Sequence, residues 1–246
     1  MCEVFANPKA QGSGIATCIP QAGRCPRGCN SCFFQENSFY IPMDKLPYIP
    51  NMDDVKGQIV RCNDGNDSFH KLKDVLKITS MYPDVFFNTS YPVADKFLRN
   101  KKLLPVVVTV NPGGKEDMTD TDFHKLEYSP NIMFVRFRKN LWNDKLCHEC
   151  CSYYRDLGIP VVLTYMRYNT IDEIPEEYRR YYQESKHLLN TYYALSKEAA
   201  YSHFRQFQVD FENVFYCGSR HSSLCKTCGN CIREYYATKE RLSGKS

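Results

Sequence analysis

A chain of 246 residues with 43% hydrophobic content has enough apolar material for one large core, or for a core and a small added module. Its 32 basic and 28 acidic residues leave a net charge of +4 spread along the chain, too slight a bias for an electrostatic nucleic-acid footprint. No apolar run approaches the roughly 18 residues of a membrane span, and MCEVFANPKAQGSG lacks a secretory h-region. A cytoplasmic protein is expected, in which the 13 cysteines stay reduced and free for metal.

In chain order, short β-branched runs predict strands at Gly14 to Ile19, Gln58 to Asn63, Val85 to Thr89, Pro105 to Val110, Ile132 to Phe137 and Pro160 to Tyr165. Between them, Ser68 to Met81 places Phe69, Leu72, Val75, Leu76 and Ile78 largely on one helical face, and Val93 to Lys101 and Asn143 to Leu157 read as further crossover helices. Alternation of this kind predicts an α/β fold with a parallel sheet. Pro175 to Phe207 opens with Pro-Glu-Glu, as a helix start does, and is long enough for one or two helices. From Val214 to Cys231 the composition shifts to glycine, serine and four cysteines, which predicts a small metal-bound module over 206–246 after a main domain over 10–205.

The loop after the first strand, Gly23-Arg24-Cys25-Pro26-Arg27-Gly28-Cys29-Asn30-Ser31-Cys32-Phe33-Phe34, has the spacing C-x3-C-x2-C. Three thiolates satisfy three irons of a [4Fe-4S] cluster and leave the fourth open, as an activating cluster requires. The bland reading of the same thiols is a structural zinc site that recruits Cys18 as fourth ligand. This loop, placed after the first strand of an α/β chain, resembles the signature of the radical S-adenosylmethionine superfamily over about residues 14 to 168. The family usually has an aromatic residue just before the third cysteine, where this chain has Ser31 and carries aromatics at Phe33 and Phe34.

That resemblance implies a parallel (β/α)6-type partial TIM barrel with its ligands at the C-terminal ends of the strands. It implies reductive cleavage of S-adenosylmethionine to methionine and a 5′-deoxyadenosyl radical that takes hydrogen from an unidentified small molecule or peptide. An external donor of the flavodoxin or ferredoxin type is implied as well. Asn63-Asp64-Gly65-Asn66-Asp67 stands where the family receives the methionyl amine, with Asp64 or Asp67 as acceptors, although Asp67 also reads as an ordinary N-cap. Asn111 would contact ribose, with Gly113 and Gly114 allowing close backbone approach, and a plain loop explains the segment equally well. Arg136 or Arg138, two residues apart on one strand face, would pair the methionyl carboxylate, with the other an ordinary surface arginine. Met166 would lie beside adenine, and core packing explains it equally well.

Near the C-terminus Cys217-x7-Cys225-x2-Cys228-x2-Cys231 supplies four thiolates, enough to saturate a metal centre. Its C-x2-C-x2-C run favours a second [4Fe-4S] cluster over zinc, with His221 a possible substitute ligand. Cys147, Cys150, Cys151 and Tyr154 recur at helical spacing and read as core residues. The six histidines are scattered and form no base or nucleophile constellation. The rival to a radical enzyme is a zinc-stapled module that binds nucleic acid or a partner.

Overall fold

The computed structural model describes residues 7–29, 31–35, 39–112, 123–187 and 190–244. Its centre is a seven-stranded, wholly parallel sheet of β1 (Ile15–Cys18), β2 (Ile59–Cys62), β3 (Val85–Thr89), β6 (Val106–Val110), β7 (Ile132–Lys139), β8 (Val161–Tyr165) and β12 (Val214–Tyr216). The spatial order follows the chain order, so β1 and β12 form the two edges and the sheet is open. Two antiparallel pieces flank it: a small hairpin of β4 (Leu98–Arg99) and β5 (Lys102–Leu103), and a sheet in which β11 (Asn190–Leu195) pairs with both β10 (Tyr182–His187) and β9 (Arg167–Tyr168). The helices are α1 (Leu72–Ile78), α2 (Asp144–Asp156), α3 (Lys197–Asp210), α4 (Cys225–Cys228) and α5 (Asn230–Leu242).

Strand alternation sorts the side chains onto two faces. On the outer face Val60, Val85, Phe87, Val106, Val108, Val135, Phe137, Val161, Leu163 and Val214 meet the apolar stripes of α1, α2 and α3. Cys147, Cys150, Cys151 and Tyr154 of α2 are fully buried there, as their helical spacing predicts. On the inner face Ile59, Phe86, Val107, Phe134 and Val162 form a lower apolar layer closed by Ile232 and Tyr235 of α5. The helix is pinned at its middle and near its C-terminal end. Arg241 donates to the carbonyl of Ile132 at 2.7 Å, and the Tyr235 hydroxyl donates to Asp84 at 2.9 Å. Above that layer the inward positions turn polar: Thr17, Arg61, Asn88, Thr109, Arg136 and Thr164.

Four expectations are corrected. Six strands become seven, because Val214–Tyr216 pairs in parallel with β8. Val93 to Lys101 is a 3-10 turn at Ala94–Lys96 running into the β4–β5 hairpin, where Asn100 and Lys101 both take left-handed conformations at φ 51° and 64°. Pro175 to Phe207 contains a 3-10 segment, the β10–β11 hairpin and only then α3, whose N-cap Ser196 accepts from the Ala199 N–H at 3.1 Å. The helix within Ser68 to Met81 is also shorter, starting at Leu72 after a left-handed Lys71.

Candidate cofactor site

Parallel strands place their C-terminal ends, and the loops that follow, at one rim of the sheet. The loop carrying Cys25, Cys29 and Cys32 leaves β1 at this rim and is tied to four other segments. Cys25 and Cys32 rest half-buried against the small apolar cluster of Ile19, Phe34, Ile41 and Tyr48. Cys29 Sγ accepts from the Asn111 amide at 3.4 Å and lies 4.0 Å from the Ser90 hydroxyl, so the ends of β6 and β3 both reach it. Ser31, left-handed at φ 49°, donates its hydroxyl to Glu173 at 2.7 Å and offers its carbonyl to Arg138 at 2.9 Å. Gln35 donates to the Cys25 carbonyl at 2.6 Å. Burial pushes the Cys25 thiol up to about 11, against the pull of a backbone N–H at Arg27. All three thiols are free of disulfides.

The segment after β2 is held by a dense set of hydrogen bonds, in keeping with the turn-and-cap reading of Asp67. Asp67 is buried and fully engaged: it accepts from the Phe69 and Ser90 N–H groups and from the Thr89 and Ser90 hydroxyls at 2.7 to 3.0 Å. It latches the β2 loop to the end of β3. Asp64 is paired with Arg61 at 2.5 Å, accepts from Tyr40 at 3.1 Å and also bonds Asn7. Asn63 takes φ 59° and donates to Ser68 at 3.1 Å, while its buried Oδ1 has no hydrogen-bond partner. Gly65 admits the aromatic packing above it, since a Cβ there would meet the Phe34 ring at 2.4 Å and Phe39 at 2.8 Å.

The two arginines of β7 part company. Arg138 serves the first cysteine loop, bonding Ser31 and, at 3.1 Å, Asn111 Oδ1. Arg136 donates to Asn88 at 3.2 Å and faces the C-terminal cysteines, whose thiolates it stabilises. Met166 is buried with Tyr168, Ile174 and Tyr182, its sulfur 3.4 Å from the Tyr168 hydroxyl. Phe34 is buried and Phe33 is 53% exposed. Gly113 and Gly114 lie outside the described residues.

Cys217 continues β12 on the inner face, Cys225 and Cys228 stand on α4, and Cys231 opens α5. The turn between the two helices is made by Gly229 at φ 68°. The four approach one another closely enough to shift one another's ionisation. The neighbouring Cys228 thiol, with help from Lys9 and Arg136, holds Cys217 well below the usual thiol range despite its burial. Burial raises Cys231 to about 11, against Arg136 and Arg61. Arg61 itself is 5% exposed; burial works against its charge, and Asp64, Cys231 and Cys225 outweigh that cost. Around the quartet therefore stand three cations, Lys9, Arg61 and Arg136, and one carboxylate, Asp64. Their surplus of two positive charges equals in size the −2 of four thiolates on a doubly charged core, so the charge of the surroundings, but not a converged ligand geometry, fits a metal centre. Among the described residues no three His, Cys, Asp or Glu side chains converge on a position for a single metal ion.

Sequence reasoning missed Lys9, Arg61, Ser90, Gln35 and Glu173. Arg61, an inward charge in the apolar strand Ile-Val-Arg-Cys, was the one with a visible signal. No family model, curated protein or solved structure matches the chain. No described helix is long and apolar enough to cross a membrane.

Proposed function

We propose that the chain is a radical S-adenosylmethionine enzyme, with a [4Fe-4S] cluster on Cys25, Cys29 and Cys32 and a second on Cys217, Cys225, Cys228 and Cys231. The observation that carries this reading is the anchoring of the first cysteine loop. Ser90, Asn111, Arg138 and Glu173 from four separate segments hold it at the C-terminal rim of a parallel sheet. A structural staple needs no such convergence on an incomplete ligand set. When bound, a three-cysteine cluster supplies the electron that splits the sulfonium of S-adenosylmethionine to methionine and a 5′-deoxyadenosyl radical.

On this reading the open, sequentially ordered sheet is a partial barrel whose inner face holds both cysteine groups, with α5 filling its lower half. Arg138 and Asn111 are positioning residues for the loop, because their polar atoms are spent on Ser31 and Cys29. Arg136 and Arg61 offset the charge of the second centre. The chain needs an external donor of the flavodoxin or ferredoxin type, and a reducing compartment suits free thiols.

The test is anaerobic reconstitution, dithionite reduction and assay of 5′-deoxyadenosine, beside a variant with Cys25, Cys29 and Cys32 replaced by Ala. Cleavage by the wild type alone, with the variant keeping the iron of the quartet, supports the proposal. Stoichiometric zinc with neither iron nor cleavage overturns it in favour of a zinc-stapled binding module.

A further inference from the structure

Beside the quartet a cavity of about 440 Å³ runs from Cys217 outward between the end of β8, the β10–β11 hairpin and the start of α3. That size suits one small molecule. Its wall carries four cations, Lys9, Arg167, Lys197 and Arg220, against a single carboxylate, Glu198. None of the four forms an ion pair with a carboxylate among the described residues; Arg167 instead lies over the Tyr192 ring, 4.7 Å from its centroid. Like charges on opposite walls repel unless something sits between them.

Lys9 lies at the inner end beside the quartet, its carbonyl accepting from the Cys225 N–H at 2.7 Å. Among the described residues the outer three cations form no ion pair, and they come from three separate elements: β9, α3 and the loop before α4. Three converging donors of this kind fit a doubly charged tetrahedral oxyanion, with two arginines able to bind it through paired N–H groups. The Ser185, Ser196 and Ser223 positions on the same wall add neutral donors.

We propose that this cavity is the substrate pocket and that the substrate is a small phosphate-bearing molecule. Its phosphate lies between Arg167, Lys197 and Arg220 at the mouth, and its remainder extends inward toward Cys217. As a substrate assignment this rests on the radical-enzyme reading; as a phosphate pocket it is measured without it.

The experiment is calorimetric titration of the reconstituted wild-type protein with inorganic pyrophosphate and, separately, with glutarate, repeated on the double variant Arg167→Gln, Arg220→Gln. Both arginines are exposed, so the replacement leaves the core intact. Saturable pyrophosphate binding that weakens tenfold or more in the double variant, with glutarate binding weaker than pyrophosphate, is the expected result. Absence of saturable binding, equal binding by the variant, or tighter binding of glutarate overturns the proposal. The 5′-deoxyadenosine assay on the wild type reports separately. Pyrophosphate binding without cleavage leaves the pocket standing and removes its enzyme, and cleavage without pyrophosphate binding does the reverse.

Discussion

Replacing Asp67 by Asn separates a structural latch from a cosubstrate contact. Each Asp67 oxygen accepts twice: Oδ1 from the Phe69 N–H at 2.9 Å and the Thr89 hydroxyl at 2.8 Å, Oδ2 from the Ser90 N–H at 2.7 Å and its hydroxyl at 3.0 Å. Whichever oxygen becomes NH2, one hydroxyl can rotate to accept, but one backbone N–H is left facing a donor in a buried site. A hydrogen bond to a charged group is worth roughly 1.5–3 kcal/mol and an unsatisfied buried N–H costs about 1–3 kcal/mol. Removing a buried carboxylate recovers part of its desolvation cost, so the net loss is about 3 kcal/mol. The Ser90 hydroxyl also receives Arg27 at 3.1 Å and lies 4.0 Å from Cys29, so the damage reaches the cysteine loop. Urea unfolding of wild type and variant measures the stability loss, and the rate of iron loss to a chelator measures the loosened loop. A stability change under about 1 kcal/mol would refute the latch, since at least one orphaned N–H follows from its geometry.

Two further substitutions test the packing around the site. Gly65→Ala forces a Cβ into the Phe34 ring at 2.4 Å, and Phe34, wedged edge-on against Phe39 at 4.9 Å, has no room to yield; an overpacking cost of about 1–3 kcal/mol and faster iron loss are expected in thermal melts and chelator assays. Asp144→Asn strips the fully buried Lys139 of its carboxylate, with a cost of roughly 2 kcal/mol, less than for a fully buried pair because Asp144 is half exposed. Burial opposes the Asp144 charge, but His203 and Lys139 prevail and lower its pKa, so its contribution is complete above the unfolded carboxyl value of about 3.9. The stability gap between wild type and this variant should therefore be full at neutral pH and close as acid carries the protein through the depressed folded value. A gap that does not narrow at all as pH falls below the unfolded carboxyl value of about 3.9 and on to full protonation would show that the lost stability is not electrostatic.

What the sequence made legible follows from signal length. The first six strands are apolar runs of four to eight residues with clear boundaries, and α2 carries cysteines and tyrosine at clean helical spacing. The seventh strand is only Val-Phe-Tyr, set among cysteines that drew the reading toward metal binding. The Val93 to Lys101 segment contains Asn100 and Lys101 at a turn needing left-handed backbone, which Asn favours and a helix does not. In the β10–β11 hairpin Tyr182, Tyr193 and Leu195 pack inward at one end of a face otherwise occupied by Glu184 and Lys186, too few to mark an apolar period. At the site, the cysteine spacings located both groups. Their partners Ser90, Glu173 and Lys9 come from distant loops, where a lone polar residue carries no pattern until the topology brings it in.

On the proposed reading, the charge around the quartet ties metal to fold. Among the described residues the carboxylate beside Lys9, Arg61 and Arg136 is Asp64, and neutral thiols cannot offset the surplus. Four thiolates on a doubly charged core can, so loading and stability are linked. The consequence is a change of sign. At an effective dielectric near 20, each unit charge of the centre is worth on the order of 2 kcal/mol to a nearby arginine. Arg136→Met removes that attraction from the loaded protein, and removes only self-repulsion among cations from protein stripped by chelator. The lost bond from Arg136 to Asn88 is common to both states and cancels in the comparison. Thermal melts of the four species should show the substitution costing about 2–4 kcal/mol more in the loaded protein than in the stripped one. An equal effect in both would mean that the quartet carries no net negative charge, and the case for a thiolate-ligated centre among these cations would fail.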